Sequence, residues 1–377
     1  VQTIPYRQFL RIARITLILV YVVIIAGSVV RATGSGMGCP DWPKCFGHWI
    51  PPTHVSQLPA DYQKFFKVQE QATEPFNALK TWTEYGNRLV GALLGLIMFV
   101  QLFFAFRIRK TNPQFLRLAL ATLFLTGMEG VLGAFVVYNN LKAGVVTVHM
   151  FLSLIILVTQ AFLVFRAQVE MWTSQPATTA LVGTSSTLVG TSSMMVGTSS
   201  TMAGTSSTMI GTSSTLVGTS STLVGTSSSQ PEQPKPFVKP ALKNLILISF
   251  LLTTAQILLG TQVRESVDAL MKNFDEYTKG HILDNVGIRF SAHASFALLV
   301  TLLNLVLIFL IVKNKGLYAA VKTQTIGIGC VLIAEMIAGT ALKLFALPAV
   351  LQPVHLLLAA LLFGLQWGLI LRTRPQS

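Results

Sequence analysis

The chain has 377 residues, of which 52% are hydrophobic and 11% charged, with three cysteines and a formal net charge of +14. A soluble globular domain carries roughly 25% charged residues. The composition therefore excludes an ordinary soluble protein and, with a mean hydropathy of +0.62, predicts an all-α polytopic membrane protein.

A helix needs about 20 apolar residues to cross the hydrocarbon core. Eight such runs follow one another, at 12–30, 85–106, 115–137, 144–165, 242–263, 288–312, 323–342 and 349–371. No small-residue cleavage site follows the first run, which reads as a retained span. The spans are expected to form two pseudo-symmetric four-helix bundles, an N-terminal half at 1–172 and a C-terminal half at 241–377. Basic residues gather before the first span (Arg7, Arg11, Arg14), in the second, fourth and sixth connections and in the tail, sixteen of the 28 in all. The other connections hold acids such as Asp41, Asp61, Asp268 and Asp284. The positive-inside rule then predicts cytoplasmic termini in a bacterial inner membrane. The basic charge reads as a topology signal, which sets nucleic acid aside as a partner and leaves membrane lipid.

Between the first two spans lies CPDWPKC, with Cys39 and Cys45. An outer, oxidising location favours a disulfide; a metal pair and two free thiols are the alternatives. Cys330 lies inside the seventh span and reads as inert packing. His48, His54 and His281 fall in outer loops and read as solvated surface. Between the halves, at 173–240, a seven-residue unit recurs as TSSTLVG, TSSMMVG, TSSTMAG and close variants. Glycine in every unit and few large side chains argue against a coiled coil or a core, so this stretch is expected to be a flexible cytoplasmic linker.

The spans repeat as pairs. The odd-numbered ones end alike, with Gly27, Gly133, Gly260 and Gly339 at matching places, and Glu129, Gln256 and Glu335 stand four residues before the last three. Small residues allow a helix or a flat ring to approach the backbone closely; helix packing alone is the other reading. The even-numbered spans begin alike, with Asn87, His149, His293 and His355 at matching positions. Ionisable side chains inside spans are costly and usually face the bundle interior for a functional reason. His293 and His355 open the two even spans of the second half, an arrangement suited to axial ligation of a heme within a bundle. A structural zinc site wants about four nitrogen or sulfur ligands, and no cysteine is at that depth. The first half offers His149 opposite Asn87, one ligand and one open position. Glu84 precedes Asn87 by one turn and suits either general acid–base work or a helix N-terminus. Arg31, Arg88 and Arg264 can pair with heme propionates or snorkel to headgroups.

The stretches VVRATGSGMGCPDWPKCFG, EYGNRLVG, LLGTQVRES and LPAVLQPVHLLLAALLFG together resemble heme A synthase. The similarity covers all eight spans and leaves out the seven-residue repeats. The resemblance implies a heme b held by His293 and His355, and a first-half site where the methyl group of heme O is oxidised to the formyl group of heme A. Through it Glu84 maps to the family's essential acid, and Cys39 and Cys45 to its outer-loop cysteine pair. Many members carry histidine where this chain has Asn87, so His149 alone is expected to hold the substrate iron. The expected partners are heme O synthase, subunits of a terminal oxidase, and a quinone or other electron carrier. The rival readings are a non-enzymatic heme carrier for oxidase assembly and a diheme electron-transfer protein linked to quinone.

Overall fold

Each apolar run folds as a helix in the computed structural model, which describes residues 3–67, 75–173, 238–271 and 286–374. The spanning helices are α1 (Thr3–Ala32), α2 (Ala78–Arg107), α3 (Pro113–Tyr138), α4 (Ala143–Thr173), α5 (Pro240–Met271), α6 (Ile288–Lys313), α7 (Lys315–Leu344) and α8 (Leu351–Thr373). All eight are long and apolar enough to cross a membrane, and the chain is a multi-pass membrane protein. The helices outrun the apolar stretches because their polar ends stay helical. Arg7, Arg11 and Arg14 lie within the first turns of α1. The seven-residue repeats and His281 lie outside the described residues.

Local chemistry starts the helices. The Asn77 side chain accepts from the Lys80 N–H at the head of α2, and that of Asn314 from the Leu317 N–H at the head of α7, each at 3.1 Å. These bonds satisfy amides that a helix leaves unpaired. Pro113 begins α3, where its missing N–H costs nothing. Three odd-numbered helices also end alike. Ser35, Leu141 and Leu347 donate their N–H back to Val30, Val136 and Leu342 at 2.8 to 2.9 Å. The residues before them, Gly34, Asn140 and Ala346, have left-handed backbone with φ of 62°, 51° and 52°. Such an αL cap ends the helix and turns the chain sharply, into the disulfide loop after α1 and toward the next helix after α3 and α7.

Val1–Met171 and Val238–Ser377 form one compact unit. Within it α1 packs on α2 and α8, α2 on α3, α5 on α6 and α8, and α7 on α6 and α8. The α1–α8 contact joins the halves. One buried cluster draws on both, with Val20, Met98, Leu157, Ile257 and Phe363. Large apolar side chains such as Leu96, Phe99 and Phe103 of α2 and Leu305 and Phe309 of α6 face outward. Lipid tails are as apolar as leucine, so this outward display carries no penalty in a bilayer. Cys330 is exposed on that outer surface and not packed inside, a correction to the sequence reading.

Each half also contains a buried polar layer. Gln160 donates to the carbonyl of Ala13 at 2.9 Å and pairs amide to amide with Gln101. In the second half Gln366 donates to Asn304 Oδ1 at 2.9 Å and to Ser249 Oγ at 3.1 Å, while Ser249 donates to Asn304 Oδ1 at 3.0 Å. All five side chains are fully buried. Gln160, Asn304 and Gln366 each follow a membrane histidine by eleven residues, three turns along the same helix face.

The loop between α1 and α2 closes one end of the bundle. Cys39 and Cys45 form a disulfide, and both are fully buried. Phe46 packs edge-on against Tyr62, Phe66 and Phe76. The Asp41 carboxylate accepts from the N–H groups of Phe46 and Gly47. Gly38 lies so close to α2 that a β-carbon there would stand 2.5 Å from the Lys80 carbonyl oxygen, so only glycine fits.

Candidate functional site

The three membrane histidines are seated in the same way, near the end of the bundle that carries the disulfide. Each rises from the first turns of an even-numbered helix and lays its ring on the matching glycine of the preceding helix. A β-carbon built on Gly133 would lie 3.6 Å from His149 Cε1, one on Gly260 3.2 Å from His293 Cε1, and one on Gly339 3.3 Å from His355 Cε1. The last two distances mean that a side chain at Gly260 or Gly339 would push the imidazole away. Asn87 takes the equivalent seat, its Oδ1 3.9 Å from a β-carbon on Gly27.

One turn before each glycine, a polar side chain braces the ring. Glu129 Oε1 stands 3.2 Å from His149 Nδ1, and Glu335 Oε1 3.1 Å from His355 Nδ1. The Gln256 side-chain nitrogen stands 3.1 Å from His293 Nδ1 and donates to the His293 carbonyl at 3.0 Å. The matching residue of α1 is Val23, so the Asn87 seat lacks both the imidazole and its brace. A histidine that ligates a metal commonly gives its second ring N–H to a carboxylate or carbonyl, which orients the ring. Among the described residues no hydrogen bond reaches Nε2 of His149 or His355, and the carboxylate contacts at Nδ1 are close approaches without hydrogen-bond alignment. Their side chains remain 33% and 26% exposed, so a ligand can reach them. Braced imidazoles on glycine seats are a donor set that fits a heme.

The arginines divide into two groups. Arg31 at the end of α1 and Arg264 of α5 share Asp268, at 3.3 Å to Oδ2 and 2.7 Å to Oδ1. Arg264 also donates to Gln352 Oε1 and to the Arg31 carbonyl. This network ties α1, α5 and α8 together beside the histidines. Thr147 and Thr261 meet nearby, their hydroxyls 3.3 Å apart between α4 and α5. Arg88 instead holds the disulfide loop. Its guanidinium donates to the carbonyls of Cys39, Asp41 and Lys44 at 2.7 to 2.9 Å and to Glu84 Oε1.

Glu84 is buried, 3% exposed, so it is not the solvated helix-end carboxylate that one reading of the sequence allowed. Its Oε2 accepts from the Cys39 N–H at 2.8 Å. The Glu84–Arg88 pair thus clamps the loop onto α2, one turn from Asn87. His48 and His54 are exposed, as expected of loop residues. Sequence reasoning noted the spacing of Glu129, Gln256 and Glu335 but not their approach to the rings, and it missed the pairing of Asp268 with Arg31 and Arg264 and the buried polar layers. The matched spacing of those three residues was the available signal.

Among the described residues, eight helices long and apolar enough to span a bilayer define a multi-pass membrane protein, with three histidines seated alike near one end. A family model described as cytochrome oxidase assembly protein matches residues 11–208 and 209–367, and the chain belongs to that family. It is similar to proteins named heme A synthase. That of Shewanella oneidensis is 32% identical over 143 residues, 38% of this chain and 41% of the relative. That of Nitrosomonas eutropha is 30% identical over 152 residues, 37% and 42% of the two chains. That of Alkalihalophilus pseudofirmus is 30% identical over 140 residues, 37% and 39%. The matched stretch spans about two fifths of the length of these curated relatives.

Proposed function

We propose that the protein is an oxidoreductase that converts the methyl group of heme O to the formyl group of heme A, for the biogenesis of a terminal oxidase. The family and the names of its relatives support this reading. The observation that carries it is the histidine seat, repeated three times with a matching glycine under the ring and a polar side chain 3.1 to 3.2 Å from Nδ1.

The C-terminal half, 241–377, is the cofactor half, where His293 and His355 hold a heme b. The N-terminal half, 1–172, is the substrate half, where His149 holds the iron of heme O. Bound heme supplies one-electron redox chemistry at its iron; the protein's residues bind, orient and manage protons. Gly260 and Gly339 let the imidazoles lie against the helices. Glu129 braces His149 and so directs its free nitrogen to the substrate. Asn87 offers an amide in place of a second imidazole and leaves one side of the substrate open. Glu84 is the carboxylate that exchanges protons at this site, held in place by Arg88 and the Cys39 N–H. Arg31 and Arg264 provide the positive charge for propionates at the edge between the halves, with Asp268 spacing them. Charge asymmetry between the connections supports cytoplasmic termini and a disulfide loop on the outer side of a bacterial inner membrane. The segment 173–240 serves as a linker. Heme O synthase upstream, oxidase subunits downstream and a quinone or similar carrier for electrons complete the reaction setting.

The test is expression of the full chain in a host that makes heme O but no heme A, followed by pigment extraction. Heme A should appear. Recovery of heme O alone from a chain that binds it would point to a carrier instead.

A further inference from the structure

We propose that Glu335 and Gln256 are positioning residues that make the two histidines of the second-half heme site unequal, with His355 the stronger ligand. The inference rests on the bis-histidine reading of that half.

The two seats match in backbone but not in the chemistry of the brace. A carboxylate only accepts hydrogen bonds. Glu335 Oε1 stands 3.1 Å from His355 Nδ1, close enough to accept a proton carried there once a ligand draws the lone pair of Nε2. An amide can turn either its oxygen or its nitrogen to a ring. The Gln256 nitrogen stands 3.1 Å from His293 Nδ1 and 3.5 Å from Nε2 while donating to the His293 carbonyl, so nothing there demands a proton on Nδ1. His293 becomes a ligand when the amide presents its oxygen. His355 has a carboxylate beside Nδ1, and only that kind of partner selects the ligand form.

Charge adds a second difference. A carboxylate that accepts the Nδ1 proton strengthens the imidazole as a donor, which an amide does less, and hydrogen bonding behind a heme ligand tunes the iron's potential. A stronger donor favours ferric over ferrous iron. Gln256 is neutral and brings no such bias. The Glu129–His149 pair repeats the carboxylate arrangement in the first half. The substrate histidine is thus of the His355 type, and His293 is the exception among the three.

The experiment is a redox titration, followed by visible absorption, of the full chain purified with its heme. Glu335→Gln should shift the ferrous-to-ferric ratio about tenfold toward ferrous, an upward move of about 59 mV in midpoint potential. Gln256→Glu should move it downward by a similar amount, and Glu335→Asp should keep most of the wild-type value. Loss of heme from Glu335→Gln in a chain whose circular dichroism stays helical also supports the assignment, provided Gln256→Glu lowers the potential. Wild-type potentials in both Glu335→Gln and Gln256→Glu would overturn the inference and leave the bis-histidine reading standing. A wild-type chain with no low-spin heme would overturn that reading and the inference with it.

Discussion

Glu335 of α7 reaches His355 of α8 at 3.1 Å, from Oε1 to Nδ1, while Gly339 one turn along provides the flat surface beneath the ring. Brace and seat come from the same face of one helix because four residues make about one turn. The same spacing serves His149 and His293. A single register error between paired helices would therefore lose both contacts together.

The seat itself is testable. Gly339→Val places branched carbons where the His355 ring lies, because even a β-carbon would stand 3.3 Å from Cε1. Overpacking of this kind costs about 1–3 kcal/mol, and here it displaces a ligand. The variant should retain the helical circular dichroism of the wild type and purify with markedly less heme. Gly316→Ala, at a glycine beside only the Asn314 side chain, should bind heme normally.

The clamp on the disulfide loop makes a second prediction. Arg88→Leu would leave the Glu84 carboxylate buried without its cation, and breaking such a pair costs about 3–5 kcal/mol. It would also remove three bonds to loop carbonyls. Thermal unfolding in detergent should occur at a lower temperature, and limited proteolysis should cut between residues 33 and 67 faster. Glu84→Gln preserves shape and an acceptor for the Cys39 N–H, so its stability loss should be smaller. Its heme A yield should nonetheless fall sharply if Glu84 exchanges protons with the substrate site.

Asn304 in the second-half polar layer gives a third. Asn304→Leu takes away the acceptor shared by Ser249 and Gln366. Two buried polar groups left short of partners cost about 1–3 kcal/mol each. The midpoint of thermal unfolding should fall, and a lipid-facing change such as Leu305→Ala should leave it nearly unmoved. Equal effects from the two substitutions would show that the layer does not set helix register.

The eight spans were legible because a bilayer demands about 20 apolar residues from each helix, and no soluble core imposes that length. His149, His293 and His355 stood out because imidazoles inside apolar runs are rare and these three recur in register. The braces were half legible. The spacing of Glu129, Gln256 and Glu335 is written in the sequence, but their approach to the rings depends on how far one helix slides along its neighbour. Cys330 shows the opposite limit: lipid and protein interior are equally apolar, so hydropathy does not tell which face of α7 turns inward. Glu84 was ambiguous because its partner, the backbone of the CPDWPKC loop, lacks the periodicity that makes helices readable. The disulfide was favoured from compartment alone, and the structure adds that both sulfurs are buried. Resistance to alkylation would thus follow from burial as well as from the bond, and only peptide mapping without reduction reports the Cys39–Cys45 link directly.

The most direct measurement is the visible spectrum of the purified full chain beside His293→Ala and His355→Ala, with the heme extracted and typed. We expect a low-spin heme b in the wild type, lost or converted to high spin in both variants, with helical circular dichroism retained. A colourless wild type after expression with ample heme, or variants whose reduced spectra match it, would contradict the assignment of these histidines as ligands.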